Sequence, residues 1–218
     1  MNLPKLKNSK FFEEAFTHRS YLNEAKQTVS SNERLEFLGD SILSFVVSNY
    51  LYKTYSEFDE GNLTNLRSLM VNTKSLSETA KELNIGKLLK LSKGEEESKG
   101  RENATLLENS FEAYVGALFL DQGLQSVVKF LTNVLFPKIQ EMVDKKAFKD
   151  PKSLLQEKIQ ARKQNSPVYK VLEETGPAHA KIFKVGVYVD GKILGEGIGK
   201  SKQIAEVSAA KAALEGKS

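Results

Sequence analysis

Three carboxylates, Glu33, Glu36 and Asp40, fall at i, i+3 and i+7, so a helix there sets all three on one face. Like charges at that spacing repel, and neither Glu36 nor Asp40 has a lysine or arginine three or four residues away. An unpaired charge in an otherwise apolar helix is costly, and a bound cation would resolve the conflict. A second segment, residues 107–117, sets Asn109 and Glu112 one helical turn apart. Oxygen donors from two packed helices suit a hard cation such as Mg²⁺ or Mn²⁺. Such a centre hydrolyses a phosphodiester without a protein nucleophile, because the ion lowers the pKa of bound water and stabilises charge on the phosphate. No Ser-His-Asp or Cys-His set is required, and His18, one of two histidines, is expected to fix a helix end.

Each of these residues also has a plainer reading. Ser30 and Glu33 form the Ser-x-x-Glu pattern of a capping box, and Glu36 and Asp40 could mark a solvated face. Gly39 inside the helix costs roughly 1 kcal/mol relative to alanine, which points either to close approach by another backbone or ligand or to packing alone.

The elements that must position these groups are helical. From Phe11 to about Val143 apolar residues recur mostly at helical spacing, as in Leu35, Leu38, Ile42, Phe45 and Val46. Breaks are expected at residues 58–61, at Gly86 and in the polar run 94–100, which reads as an exposed loop. A charged segment then ends in Asp150-Pro151, an N-cap followed by proline at the first helical position. Beyond it the period changes: residues 153–164 suit a helix, 168–173 a strand, and Phe183, Val185, Val187 and Val189 alternate. Asp190-Gly191 supplies a type I′ hairpin turn, and a strand over 192–197 with a helix over about 201–214 completes an α-β-β-β-α order. The expected fold class is an all-α domain followed by a small α+β domain.

Composition narrows the function. Segment 151–218 carries 12 Lys and Arg against 7 Asp and Glu, whereas the remainder is nearly balanced, so attraction for a polyanion is concentrated at the C-terminal end. The longest apolar stretch, 42–52, is broken by Ser44, Ser48 and Asn49, too short and polar to span a bilayer. The basic N-terminus leads into Phe11-Phe12-Glu13-Glu14 and not an apolar signal core. With no cysteine, disulfides and thiolate zinc sites are excluded. A soluble, cytoplasmic protein without membrane association is expected.

The unbroken run Asn32-Glu33-Arg34-Leu35-Glu36-Phe37-Leu38-Gly39-Asp40 resembles the hallmark motif of the ribonuclease III family. It is joined in order by His18-Arg19-Ser20-Tyr21, Asp59-Glu60-Gly61 and Phe111-Glu112-Ala113 with Gly116-Ala117. Gly176-Pro177-Ala178-His179 and residues 195–202 similarly resemble a double-stranded-RNA-binding domain. The resemblance covers nearly the whole chain and implies an endonuclease domain over 1–146 and an RNA-binding domain over 150–218.

It further implies a Mg²⁺-dependent homodimer, with Mn²⁺ able to substitute, that cuts double-stranded RNA to 5′-phosphate and 3′-hydroxyl ends. Ribosomal-RNA precursors and other structured transcripts would be its substrates. Carried over by motif, Glu36, Asp40, Asn109 and Glu112 are the metal ligands, Asp40 and Glu112 the catalytic pair, and Glu33 and Glu60 accessory acids. Phe37 would plug into the partner subunit. Gln156, Gln160 and His179 would face minor grooves, and Lys200 and Lys202 would hold phosphates. Two departures stand out: Asn109 replaces the family's aspartate, removing one charge that Glu108, one turn before Glu112, could supply if it points the same way, and Gln203 replaces a frequent lysine.

Overall fold

The computed structural model describes residues 3–25, 29–144, 148–177 and 180–216. The chain divides into two units, Met1–Phe148 and Lys149–Ser218. The first is helical: α1 (Ser9–Ala15), α2 (Glu33–Thr54), α3 (Glu60–Met70), α4 (Thr73–Glu82), α5 (Lys93–Glu97), α6 (Ala104–Val134) and α7 (Phe136–Asp144), with short 3-10 turns between them.

Helix α2 buries Leu35, Leu43, Val46, Val47 and Leu51, and α6 buries Leu107, Phe111, Tyr114, Val115 and Leu118. These two stripes meet and form the centre of the unit. Helix α6 is not one straight rod. Gly123 has φ 76° and ψ 177°, a conformation essentially reserved for glycine. The chain turns back there, so that Phe130 lies 5.9 Å from Phe111 and 5.4 Å from Tyr114 between ring centroids. In a straight helix those pairs would stand about 25 Å apart.

Two local expectations are corrected. The start of α2 is Asn32, not Ser30, and Glu33 is its first helical residue, so the capping box does not form. Instead the Ser31 hydroxyl donates to Glu33 Oε2 at 2.9 Å. The polar run after Leu91 is not a plain loop, since Ser92 accepts from the amide of Glu95 at 3.3 Å and caps the short α5. Glu95 and Glu96 in its first turn favour the helix dipole, and Arg101 pairs with Glu96.

The second unit runs α8 (Pro151–Ala161), β1 (Val168–Thr175), β2 (Ile182–Val189), β3 (Lys192–Gly199) and α9 (Lys202–Glu215). Its antiparallel sheet has the order β1-β2-β3. Asp150 caps α8 by accepting from the amides of Lys152 and Ser153, with Pro151 in the first turn. Asp190 and Gly191 take φ 50° and 79°, as a type I′ turn requires. Val185, Val187 and Val189 of β2 close the small core with Leu155, Ile159, Ala205, Ala209 and Ala210. On β3 the alternate residues Gly195 and Gly197 lie under α9, where a Cβ on Gly197 would fall 2.1 Å from the Ala209 nitrogen. The helix therefore rests on strand backbone. Among the described residues, no helix is long and apolar enough to cross a membrane.

Candidate functional site

The acidic residues are brought together by a glycine-mediated crossing of α2 and α6. A Cβ on Gly39 would sit 1.8 Å from the main-chain oxygen of Glu112, and one on Gly116 would sit 2.3 Å from that of Leu35. With no side chain between them the two backbones touch. Glu36 and Asp40 on one helix therefore face Glu112 on the other. Asn32, 2% exposed, fixes the register, because its side-chain amide donates to Ala15 O and Ser110 Oγ, both at 3.5 Å. Asn103 caps α6 by accepting from the amides of Thr105 and Leu106.

Glu112 is 8% exposed, and among the described residues no hydrogen bond or salt bridge reaches its carboxylate. Burial pushes its pKa up to about 8, and the charges of Asp40, Glu108 and Glu36 push the same way. Glu36 is half-buried and also raised, first by burial and then by Glu33, Glu108 and Asp40. Asp40 is exposed. Glu36 and Asn109 share the lining of an open cavity of about 410 Å³ with His18, Arg19, Asn32, Glu33, Thr105 and Leu106. The donor set is entirely oxygen, and a buried carboxylate facing like charges is the arrangement a divalent cation compensates. As they stand, no three His, Asp or Glu side chains among the described residues are gathered closely enough to hold an ion. The helix backbones, not the side-chain rotamers, define the group.

The other sequence-derived residues are placed as follows. Glu33 lies 3.6 Å from Arg19 at the cavity rim. Glu60, the exposed first residue of α3, accepts from Thr64 at 3.1 Å and is not among the charges acting on Glu36 or Glu112. His18 caps the 3-10 turn Arg19–Asn23, its Nδ1 accepting from the Ser20 amide at 3.3 Å, which is the structural role expected. Phe37 is 78% exposed and so is not an ordinary core aromatic; with Phe45 and Tyr52 it forms an exposed stripe along α2. Sequence reasoning gave Asn32 no role of its own, and it left the direction of Glu108 open. Only the spacing of Glu108, one turn before Glu112, could have signalled its place.

In the second unit Gln156 and Gln160 are exposed one turn apart on α8. Lys200 and Lys202 are exposed at the start of α9, whose cap Ser201 accepts from the Ile204 amide at 3.2 Å. The Lys202 ammonium lies 5.8 Å from the centre of the Phe183 ring. His179 lies outside the described residues.

A family model described as ribonuclease-III-like matches residues 8–139, and one for the double-stranded RNA binding motif matches residues 151–216. The Ribonuclease 3 of Latilactobacillus sakei subsp. sakei (strain 23K) is 47% identical over 211 residues, which cover 95% of this chain and 90% of that protein. The Ribonuclease 3 of Streptococcus thermophilus (strain ATCC BAA-491 / LMD-9) is 48% identical, over 93% of this chain and 89% of its own length. Among solved structures, the nuclease domain of ribonuclease III from Campylobacter jejuni, described for flexibility in a region involved in dimer formation, is 34% identical. It covers 60% of this chain and 87% of its own, with a TM-score of 0.56. Dicer from Pichia stipitis is 28% identical, covers 99% of this chain and 97% of its own, and has a TM-score of 0.52.

Proposed function

Since this chain belongs to the ribonuclease III family and carries a double-stranded-RNA-binding domain, we propose that it is an endonuclease that cuts duplex RNA by Mg²⁺-dependent hydrolysis, leaving 5′-phosphate and 3′-hydroxyl ends. The observation that carries the reading is the buried carboxylate of Glu112, unpaired among the described residues, with Asp40 and Glu36 across the glycine crossing and Glu108 one turn before it on its own helix. Glu36, Asp40, Asn109 and Glu112 hold the ion, with Mn²⁺ able to replace Mg²⁺. When bound, the ion supplies an acidified water and stabilises charge on the phosphate. Glu112 anchors the centre from the buried side. Asp40, exposed on the same face, orients water toward the scissile phosphate. Glu33 and Glu60 act as accessory acids.

The second domain selects the substrate. Gln156, Gln160 and His179 face minor-groove hydroxyls, and Lys200 and Lys202 hold phosphates, so that duplex shape is read more than sequence. Two copies act together, consistent with the exposed Phe37, Phe45 and Tyr52 of α2, because a two-fold dimer presents equivalent centres to two antiparallel strands. The natural substrates are precursors of ribosomal RNA and other structured transcripts, processed in the cytoplasm.

The test is a gel assay of the full chain on long duplex RNA, with Mg²⁺ or with chelator, beside Glu112→Ala. Short duplex products that need Mg²⁺ and vanish in the variant support the reading. One observation favours a second reading: Asn109 leaves one site position uncharged, which would suit a duplex-RNA-binding protein without turnover. That reading predicts retention of RNA with no products across Mg²⁺ and Mn²⁺ titrations.

A further inference from the structure

Glu108 stands one turn before Glu112 on α6, so the two carboxylates share a helix face. It is half-buried, and among the described residues no hydrogen bond or salt bridge reaches it. Residues 104, 105 and 111, the other positions one turn away, are Ala, Thr and Phe, so the helix offers it no counter-charge. Its charge bears on Glu112 of its own helix and on Glu36 of α2. Asn109, the next residue, lines the cavity with Glu36 but brings no charge.

A second observation marks this cluster as a ligand site. Glu112 is more than nine-tenths buried, has no polar partner among the described residues, and faces Asp40, Glu108 and Glu36. Burying a carboxylate against three others is costly unless it keeps a proton or a cation joins them, and a divalent cation displaces that proton where it binds.

We propose that Glu108 is the fourth anionic group of the divalent-cation centre, supplying from one residue earlier on α6 the charge that Asn109 does not carry. The proposal rests on the reading of Glu36, Asp40 and Glu112 as that centre. Counting Glu108, the ion meets four carboxylates from two helices. Without it there are three and an amide, and affinity falls with each charge removed.

The experiment is Mn²⁺ binding to the full chain without RNA, followed by the electron paramagnetic resonance of the free ion, with circular dichroism confirming that each variant is folded. Glutamine keeps the shape of glutamate and relieves repulsion, so Glu108→Gln is expected to fold. It should weaken Mn²⁺ binding by about tenfold, and adding Asn109→Asp to Glu108→Gln should restore affinity to within about twofold of the starting chain. Unchanged affinity in Glu108→Gln, together with clear loss in Glu112→Gln, overturns the proposal and leaves the centre standing. Failure of Asn109→Asp to restore a loss overturns the exchange of charge between the two positions. Unchanged affinity in Glu112→Gln as well overturns the reading of the centre itself.

Discussion

Gly39 of α2 lies against the main-chain carbonyl of Glu112 of α6 so closely that a Cβ built on the glycine would stand 1.8 Å from that oxygen. The contact is backbone to backbone, so neither side can yield by changing rotamer. Gly39→Ala must push the helices apart, and a loss of about 3 kcal/mol or more in urea unfolding is expected, at the upper end of overpacking costs. Gly94→Ala, with nothing within 4 Å of the new carbon and a place in a short helix, is the control and should not destabilise. Equal midpoints for the two variants would show that the crossing is looser than the structure has it.

The buried carboxylate of Glu112 also gives stability a pH dependence. Its pKa is raised from 4.5 to about 8 in the folded protein, so the folded state holds a proton that the unfolded chain releases. That contribution is fully present below about pH 4.5 and is lost as pH rises through about 8. In chelator, the melting temperature should fall between about pH 5 and about pH 9, and Glu112→Gln should flatten much of that fall. Parallel pH curves for the two proteins would refute the assignment.

Nuclease activity and RNA retention should separate. Glu112→Gln should abolish cleavage of long duplex RNA while leaving its affinity within about twofold, because the double-stranded RNA binding motif lies in the second unit. Lys200→Ala and Lys202→Ala should do the reverse: each should lower affinity and reduce the slope of log affinity against log salt by about 1. An unchanged slope in both variants would remove these lysines from the phosphate contacts.

Phe37 is 78% exposed, so replacing it costs the isolated fold little. If the α2 stripe joins two copies, Phe37→Asp should convert the protein to monomer in sedimentation velocity and leave the far-ultraviolet spectrum intact. A variant that sediments like the parent would rule this face out as the dimer contact.

What the sequence disclosed, and what it hid, follow from how far each feature depends on neighbours distant in the chain. Glu36 and Asp40 on one face, the Asp150 cap and the Asp190-Gly191 turn are set within a few residues, and each is found as read. The ambiguity at Gly39 resolves only when α6 arrives 73 or more residues later, and Asn32 acquires its role only because Ala15 and Ser110 come within reach. Glu108 was visible as a neighbour of Glu112, yet a helix alone cannot say that Glu36 lies opposite. The run after Leu91 was misjudged because its polar composition outweighed a single serine cap. Of the two readings of Glu33, the capping box with Ser30 falls because the helix begins only after Asn32.

The corner at Gly123 bears on the order in which the molecule assembles. Because α6 doubles back there, Phe111 and Tyr114 meet Phe130 across a separation of 16 to 19 residues, whereas Gly39 and Glu112 must close a loop of 73. Short loops close at lower entropic cost and sooner. The two halves of α6 are therefore expected to form a local hairpin first, with α2 docking afterwards onto a surface on which Glu112 and Gly116 are already set. Kinetic φ-values should then be high for Phe130→Leu and low for Leu35→Ala, and the reverse order would refute this sequence of events.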